Sequence, residues 1–314
     1  MTLWGDLRRR GVLGINERNI SFTQGENPRH LYPLVDDKLK TKALCRGASL
    51  PVAEVFGKAE RHGDVKQLVA ALRGKSDFVL KPAMGAMGNG ILVVGEATDR
   101  GWVLSGGRTL SPEGLAYHAE SIVSGLYALG GKPDVAFAEE RLLVHPDFER
   151  ISYDGVPDIR IIVFRGVPVL AMTRLPTKRS GGRANLHQGA VGAGVDLASG
   201  RTRFAVIGST PVEVHPDTLE PVVGTPIPNL EQAVSVAVRA TDETGLGYVG
   251  ADVVIDARHG PMILELNARP GLAIQLANRT GLLPRLEAIR GQETRGLPLE
   301  DRLRVAAELA REMQ

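Results

Sequence analysis

The segment 248–271 constrains the fold more than any other part of the chain, because it reads as a β-hairpin. Two runs rich in aliphatic residues flank a Gly-Pro turn signal. If Ala257 pairs with Gly260 across a two-residue turn, Asp252 lies directly opposite Glu265 on the neighbouring strand. The segment therefore predicts two antiparallel strands that carry facing carboxylates.

The face that carries these carboxylates has the composition of a cation site. Asn267 follows Glu265 on the same face, because side chains alternate along a strand. Facing carboxylates repel each other unless positive charge lies between them, and hard oxygen ligands of this kind suit Mg²⁺. A solvated outer face of an ordinary hairpin is the alternative. The opposite face is predicted to enter the core, and it carries Val253, Ile255, Met262, Leu264 and Leu266.

Length, charge and cysteine content exclude several classes of protein. A chain of 314 residues can bury a substantial core, in one large domain or in a few small ones. A net charge of +2 indicates neither a nucleic-acid surface nor a membrane surface. Cys45 is the only cysteine, so neither an intramolecular disulfide nor a cysteine-based structural zinc site is expected. No stretch resembles a signal peptide or a membrane span, and we expect a soluble cytoplasmic protein.

Predicted strands and helices alternate along the chain without the regular spacing of a doubly wound sheet. This pattern favours the α+β class with largely antiparallel sheets. Residues 1–35 are polar and rich in turn signals, and we expect them to form an arm that lies on the body. The connection 177–194 is rich in glycine and basic residues, a composition that fits a mobile lid over phosphate groups. Solvated loop charges are the alternative for Lys178 and Arg179.

A glycine loop between two predicted strands is the candidate phosphate-binding element. Lys81 ends the first strand, and Gly85, Gly88 and Gly90 follow. Glycines let backbone N–H groups approach phosphate oxygens closely, and a lysine adds a point charge. The order G-x-x-G-x-G matches neither the dinucleotide fingerprint nor the Walker A loop. A plain hairpin turn is the alternative.

A pair of acids, Glu139 and Glu140, ends the β-pattern that begins at Val135. One carboxylate is able to accept hydrogen bonds from an adenine amino group or from ribose hydroxyls. A charged strand edge explains the pair equally well.

Taken in order, these pieces resemble the ATP-grasp superfamily of carboxylate-amine ligases, and most closely the RimK-type glutamate ligases. Three local matches carry the resemblance. The matching residues are Asp252, Glu265, Asn267, Arg269 and Gly271; then Asp158-Ile159-Arg160 with Arg174; and the R-x-N-L-H-x-G segment from Arg183 through Asn185 and His187 to Gly189.

The resemblance implies an α+β ATP-grasp fold in which two subdomains with largely antiparallel sheets grip ATP. The expected divisions are an N-terminal arm (1–35), a first subdomain with the glycine loop (36–135), a second subdomain with the metal site (136–290) and a C-terminal helix (291–314). The arm stands where related ligases have a complete α/β domain. We therefore expect residues 1–35 or a second subunit of a homo-oligomer to complete the acceptor site.

The resemblance also implies roles for individual residues. The metal ligands would be Asp252, Glu265 and Asn267, binding two Mg²⁺ ions, with Mn²⁺ as a substitute. Arg160, Arg174 and Arg183 would clamp an acyl-phosphate and the substrate carboxylate, assisted by Asn185. His187 is expected to pack locally. ATP would contact Lys42 (or Lys38), Lys81, Gly85, Gly88, Gly90, Glu139, Glu140 and Asp158.

The function implied is an ATP-dependent ligase that forms an amide through an acyl-phosphate. It would add glutamate or another amino acid to a peptide or a small carboxylate. A phosphotransferase on the same scaffold and a nucleotide-binding regulatory module without turnover are the alternatives. Amide formation that depends on an added amine distinguishes the ligase from the phosphotransferase.

Overall fold

The computed structural model describes residues 3–85, 88–128 and 130–313. Two compact units are present. The larger unit contains the chain up to Asp36, Lys40–Val52 and the chain from Leu143 onward, and the smaller unit contains Asp37–Leu39 and Ala53–Leu142. Among the described residues, no helix is both long and apolar enough to cross a membrane.

Helices are distributed along the whole chain. They are α1 (Leu3–Arg9), α2 (Ile15–Glu17), α3 (Pro33–Asp36), α4 (Lys38–Gly47), α5 (Val65–Leu72), α6 (Pro112–Val123), α7 (Pro146–Glu149), α8 (Leu230–Thr244), α9 (Ile274–Asn278), α10 (Leu283–Arg290) and α11 (Leu299–Glu312). A π-helix spans Arg18–Gln24, and short 3₁₀ turns cover Arg29–Leu31, His62–Asp64 and Leu186–Gln188.

The strands form two sheets, one in each unit. They are β1 (Val55–Ala59), β2 (Phe78–Pro82), β3 (Leu92–Thr98), β4 (Gly101–Leu104), β5 (Thr109–Leu110), β6 (Ala136–Glu140), β7 (Asp158–Phe164), β8 (Val167–Leu175), β9 (Val191–Asp196), β10 (Arg201–Ile207), β11 (Thr210–Pro211), β12 (Tyr248–Asp256) and β13 (Gly260–Asn267).

The smaller unit has a sheet in the order β1-β6-β2-β3-β4-β5 with antiparallel neighbours. Helices α5 and α6 share one hydrophobic core with this sheet, and that core includes Leu68, Phe78, Trp102 and Ile122. Phe78 and Trp102 meet edge to face, with ring centroids 6.0 Å apart.

The larger unit has a sheet in the order β11-β10-β9-β8-β7-β12-β13, again with antiparallel neighbours. Every residue of β7 and β12 is buried, because one hydrophobic core lies on each face of the sheet. Ile161 packs with α8 on one face, whereas Ile162 and Phe164 pack with α10 and α11 on the other. The predicted α+β class with antiparallel sheets is confirmed.

The N-terminal segment is part of the larger unit's core and not an arm lying on its surface. Leu13 and Phe22 are fully buried in the core that contains Phe164 and Tyr248. Asn27, 2% exposed, donates hydrogen bonds to the carbonyl oxygens of Tyr248 (2.7 Å) and Ala268 (3.0 Å). Its side-chain oxygen accepts from the backbone N–H groups of residues 247 and 248. The polar composition of residues 1–35 did not reveal this, because only a few buried residues, among them Leu13, Phe22 and Asn27, anchor the segment.

The predicted divisions differ from the observed units at both ends. Strand β6 pairs with β1 and β2, so the smaller unit extends to Leu142 rather than ending near residue 135. The helix expected as a separate element at 291–314 buries Ala306 and Leu309 in the larger unit's core. Strands β4, β5, β9, β10 and β11 were not predicted.

The hairpin has the predicted pairing but a different turn. Asp256, not Ala257, pairs with Gly260, and a bulge at Leu264 then restores the expected pairing of Asp252 with Glu265. The bulge changes which side chains enter the core. Ile263 and Leu266 lie in the core with Val253 and Ile255, whereas Met262 and Leu264, predicted there, do not belong to that cluster.

Candidate functional site

Four neighbouring strands of the larger unit, in the order β8-β7-β12-β13, bring acids and arginines together. Asp252 on β12 pairs with Arg160 on β7 on one side and with Glu265 on β13 on the other. Asp158, two residues before Arg160 on β7, pairs with Arg174 on β8. Alternation along each strand places these side chains on one face, and we call these five residues the acid–arginine cluster.

Asp252 is the centre of the acid–arginine cluster and is completely buried. Its Oδ1 accepts a hydrogen bond from Arg160 Nε. Its Oδ2 accepts from Arg160 Nη2 at 2.6 Å and from Arg174 Nη2 at 2.7 Å. Burial by itself would raise the pKa of Asp252, but the attraction of Arg160 and Arg174 outweighs it and lowers this pKa to about 2.

Asp158 shares Arg174 with Asp252 and is buried as well. Arg174 donates from Nε and Nη2 to the two carboxylate oxygens of Asp158, the first at 2.6 Å. Burial raises the pKa of Asp158 to about 6. The attraction of Arg174 opposes this rise, and the repulsion of Asp252 adds to it. Asp158 thus orients Arg174, while its nucleotide-binding role stays a prediction.

Glu265 and Asn267 form the more open side of the acid–arginine cluster. The Glu265 side chain is 32% exposed, and its Oε1 lies 4.0 Å from Arg160 Nη2. Asn267 Nδ2 donates to the same Oε1 at 3.3 Å. Three carboxylates against two guanidinium groups leave one net negative charge, which is the sign that attracts a cation.

The donor set fits Mg²⁺, although no three His, Cys, Asp or Glu side chains among the described residues form a metal cluster. Mg²⁺ takes few protein oxygens and fills its remaining positions with water and phosphate. A carboxylate offers about four lone-pair positions, and three are used in Asp252 by the arginines. The fourth position of Asp252 faces Glu265, so a cation would lie between these two carboxylates.

A buried ion pair lies in the smaller unit, where Lys81 on β2 contacts Glu139 on β6. Lys81 Nζ forms a salt bridge with Glu139 Oε1, and the side chains of Lys81 and Glu139 are 6% and 3% exposed. The ammonium group also lies 5.4 Å from the centroid of the Phe137 ring. Desolvating both charges is costly, and a fixed buried charge pair of this kind is typical of a functional site.

The glycine loop follows β2 and is held at both ends. Gly85 forms a bridge with Ala128, and its carbonyl oxygen accepts a hydrogen bond from Lys38 Nζ at 2.7 Å. Gly88 and Gly90 both have φ of +75°, a conformation that side chains disfavour. Ala86 and Met87 lie outside the described residues.

His118 and Tyr127 support the far end of this loop, and the sequence analysis did not identify them. His118 Nε2 lies 2.9 Å from the carbonyl oxygen of Gly90. The rings of His118 and Tyr127 are tilted against each other, with centroids 5.3 Å apart. A Cβ atom on Gly90 would lie 2.6 Å from the Tyr127 ring. Gly90 is therefore required both for its φ and for this close approach.

The remaining predicted residues are distributed over both units. Lys42 is buried in α4 of the larger unit, while Lys38, the alternative to it, contacts Gly85. Glu140 N–H donates to the Glu54 carbonyl in the smaller unit. Asn185 Oδ1 accepts a hydrogen bond from the backbone N–H of His187 and so caps a short 3₁₀ turn; the role of the His187 side chain stays a prediction. Within the described ranges, neither the exposed Arg183 nor Asn185 has a hydrogen bond or ion pair to the acid–arginine cluster.

The basic connection after β8 is tied down at its base. Thr177 and Ser180 are buried and exchange three hydrogen bonds of 2.9–3.0 Å. The Lys178 backbone N–H donates to Asp217, while the side chains of Lys178 and Arg179 are exposed. The side chains of Lys178 and Arg179 therefore extend from a turn that these hydrogen bonds stabilise.

Comparison with known proteins shows the family to which the chain belongs. A family model described as sugar-transfer associated ATP-grasp matches residues 17–291. A probable alpha-L-glutamate ligase of Thioalkalivibrio sulfidiphilus (strain HL-EbGR7) is 28% identical over 262 residues, covering 82% of this chain and 64% of the relative. The corresponding protein of Pseudomonas putida (strain GB-1) is 26% identical over 238 residues, covering 75% and 56%. The chain thus spans less than two thirds of the length of these curated relatives.

Solved structures resemble the chain at low sequence identity. The ATP-grasp ligase PsnB complexed with minimal precursor has a TM-score of 0.44 at 18% identity, covering 84% of this chain and 63% of that one. The D-cycloserine synthetase DcsG has a TM-score of 0.41 at 15% identity, covering 91% and 73%.

Proposed function

Because the chain belongs to the sugar-transfer associated ATP-grasp family, we propose that it is an ATP-dependent ligase that joins a carboxylate to an amine. The observation that carries the proposal is the acid–arginine cluster, in which buried arginines hold Asp252 beside the more open Glu265 and Asn267. A module that only binds nucleotide has no need for this arrangement. The expected membership of the ATP-grasp superfamily, with its likeness to glutamate ligases, is confirmed.

The residues proposed to bind ATP are those that the sequence predicted. In the smaller unit, Lys81, Lys38 and the N–H groups of Gly85, Gly88 and Gly90 would bind phosphate oxygens. Glu139 and Glu140 would accept hydrogen bonds from the adenosine. Lys42 and Asp158, predicted contacts of ATP in the larger unit, remain part of the proposal. The burial of the Lys81–Glu139 pair supports it, because such a pair is retained at a cost in desolvation.

The metal site is proposed at Asp252, Glu265 and Asn267, with Mg²⁺ as the ion. Mn²⁺ is the expected substitute, and two ions are expected in the complex with ATP. Bound there, Mg²⁺ supplies charge neutralisation for the β- and γ-phosphates. Arg160 and Arg174 orient Asp252 for this role, and their guanidinium groups are proposed to stabilise negative charge on the transferred phosphoryl group.

The proposed reaction has two steps. A carboxylate oxygen of the substrate attacks the γ-phosphorus of ATP, the bond to the β–γ bridging oxygen breaks, and an acyl-phosphate and ADP result. The amine nitrogen then attacks the acyl carbon, the C–O bond to phosphate breaks, and an amide, inorganic phosphate and a proton are released. Such chemistry depends mainly on positioning and on charge stabilisation. Arg183 and Asn185 are proposed to contact the acyl-phosphate.

Glutamate is the proposed amine, because two relatives of the chain are named probable alpha-L-glutamate ligases. A peptide or a small carboxylate is the proposed acyl donor. The family description connects these proteins with sugar transfer, so sugar acids belong among the donors to be tested.

One screen tests the proposal. Purified protein is incubated with ATP and Mg²⁺ and with amino acids, peptides and sugar acids, singly and in pairs, while phosphate release is followed and products are identified by mass spectrometry. A ligase requires a carboxylate and an amine together and yields an amide. Hydroxylamine in place of the amine should trap the acyl-phosphate as a hydroxamate. A stable phosphorylated product without any amine requirement would indicate the phosphotransferase instead, and Glu265→Gln serves as the inactive control.

A further inference from the structure

Arg18 of the N-terminal segment is a buried arginine that forms no ion pair with a carboxylate among the described residues. Its side chain is about nine-tenths buried, with 8% of the residue exposed. Nη1 donates to the carbonyl oxygen of Pro270 at 2.9 Å, and Nε has no hydrogen-bond partner among the described residues. Burial lowers the pKa of Arg18. Arginines buried in proteins are normally paired, because an uncompensated buried charge is strongly unfavourable.

The backbone that carries Arg18 is also unusual. Arg18 is the first residue of the π-helix Arg18–Gln24, whose buried side chains are Arg18, Phe22 and Thr23. π-helical turns are rare and are found frequently at functional sites. Phe22 packs against Phe164 and Tyr248, so this turn lies on the sheet face that bears the acid–arginine cluster.

The surroundings of Arg18 contain a second polar group without a partner. The Tyr248 hydroxyl is buried and has no hydrogen bond within the described part of the chain. Burial raises the pKa of Tyr248, while the positive charges of Arg18 and Arg160 oppose the rise. Arg269 is another cation close enough to affect Arg18.

Gly250 lies between Tyr248 and Asp252 on β12 and packs closely against Pro270 and Arg160. Tyr248, Gly250 and Asp252 alternate along β12 and therefore share one face. A Cβ atom on Gly250 would lie 2.7 Å from Pro270 and 3.4 Å from the Arg160 side chain. Arg18 reaches the same Pro270 through its carbonyl oxygen. Tyr248 thus lies four residues before Asp252 on the face of β12 that bears the acid–arginine cluster, and Arg18 is held beside this face through Pro270.

We propose that Arg18, together with the Tyr248 hydroxyl, binds the α-carboxylate of the amino-acid substrate. This inference rests on the proposed ligase function. An amino acid that attacks through its amine keeps an ionised α-carboxylate, and a guanidinium donor is suited to bind it. The N-terminal segment then contributes directly to the acceptor site. The charge of Arg18 serves to bind the substrate carboxylate and does not stabilise the fold.

Calorimetry on the full chain with saturating ADP and Mg²⁺ tests the inference. The probes are L-glutamate and its α-amide, which differ only in the charge of the α-carboxylate group. The wild type is expected to bind L-glutamate at least about tenfold more tightly than the α-amide, and Arg18→Gln should lose most of this preference. Affinity for ADP should stay within about twofold of the wild type.

Arg285 supplies the matched control. It is also buried, has an unpartnered Nε, and donates to the carbonyl oxygens of Val169 and Met313. Arg285→Gln is expected to leave the preference for L-glutamate unchanged. The Tm of Arg18→Gln should equal or exceed that of the wild type, because a desolvated charge without a carboxylate partner is removed.

The outcomes separate this inference from the proposed function. A wild type that binds ADP with Mg²⁺ but not L-glutamate, or an Arg18→Gln variant that keeps the preference, overturns the role of Arg18 alone. A lowered Tm with unchanged L-glutamate affinity would assign Arg18 to the fold and overturn the role as well. A wild type that fails to bind ADP with Mg²⁺ would contradict the ATP-dependent function, and the inference with it.

Discussion

Glu265 and Asp252 face each other across two strands, yet their substitution should have opposite consequences. Glu265→Gln is expected to abolish turnover with little effect on stability. The Glu265 side chain is 32% exposed and lies 4.0 Å from its nearest cation, Arg160. Pairs of this kind contribute about 0.2–1 kcal/mol. The substitution should therefore lower the free energy of unfolding by less than about 1 kcal/mol.

Asp252→Asn should be far more destabilising. Asp252 is completely buried and accepts three hydrogen bonds from two arginines. Removing one partner of a buried ion pair costs about 3–5 kcal/mol. The lowered pKa of Asp252, about 2, agrees in direction, because the folded protein stabilises the ionised carboxylate.

Urea denaturation with and without ADP and Mg²⁺ measures both effects. At a ligand concentration about 100 times Kd, the wild type should gain about 2.7 kcal/mol, and Glu265→Gln should lose the part of this gain that depends on Mg²⁺. Glu265→Ala, which also removes the side-chain amide, is the more severe control. The reasoning is refuted if Glu265→Gln retains full activity, or if it destabilises the protein as much as Asp252→Asn does.

Three further predictions concern Lys81, Asp158 and the basic connection 177–194. Lys81→Met should weaken ATP binding by about 1.5–3 kcal/mol, measured by calorimetry, because a charge-assisted contact in a closed site is lost. Unchanged affinity for ATP would show that the glycine loop is only a hairpin turn. Asp158, with a pKa raised to about 6, should make the folded state less stable as pH rises from about 4 to about 6, and Asp158→Asn should flatten this part of a stability–pH curve. An identical slope in that variant would count against the raised pKa. Trypsin cleavage at Lys178 or Arg179 should be suppressed by ATP with Mg²⁺, and cleavage that proceeds equally in both conditions would argue against a lid.

The facing of Asp252 and Glu265 was predictable because alternation and antiparallel pairing are local rules. The turn was predicted wrongly, and the pairing survived only because the bulge at Leu264 offsets the extra turn residue. Strand β9 was missed since its Val-Gly-Ala-Gly-Val pattern lacks the bulky residues by which strands are recognised.

The arginines that hold Asp252 could be predicted as site residues but not as its direct partners. Arg160 and Asp252 are 92 positions apart, and their contact depends on β7 lying beside β12 in the sheet. Sequence patterns describe each strand but not the order of strands. Arg18 offered still less signal, because one arginine in a polar segment resembles a solvated charge until its burial is seen.

The hydrogen bonds of Asn27 also determine when the chain can complete its fold during synthesis. They join backbone groups 220 and 221 positions further along. At roughly 5–20 residues per second, the ribosome needs roughly 11–44 s to make that stretch. The smaller unit, whose sheet lies between residues 55 and 140, is complete long before then. Leu13 and Phe22 therefore remain without their core partners until β12 and β13 emerge. During this time we expect the nascent N-terminal segment to be a binding site for ribosome-associated chaperones.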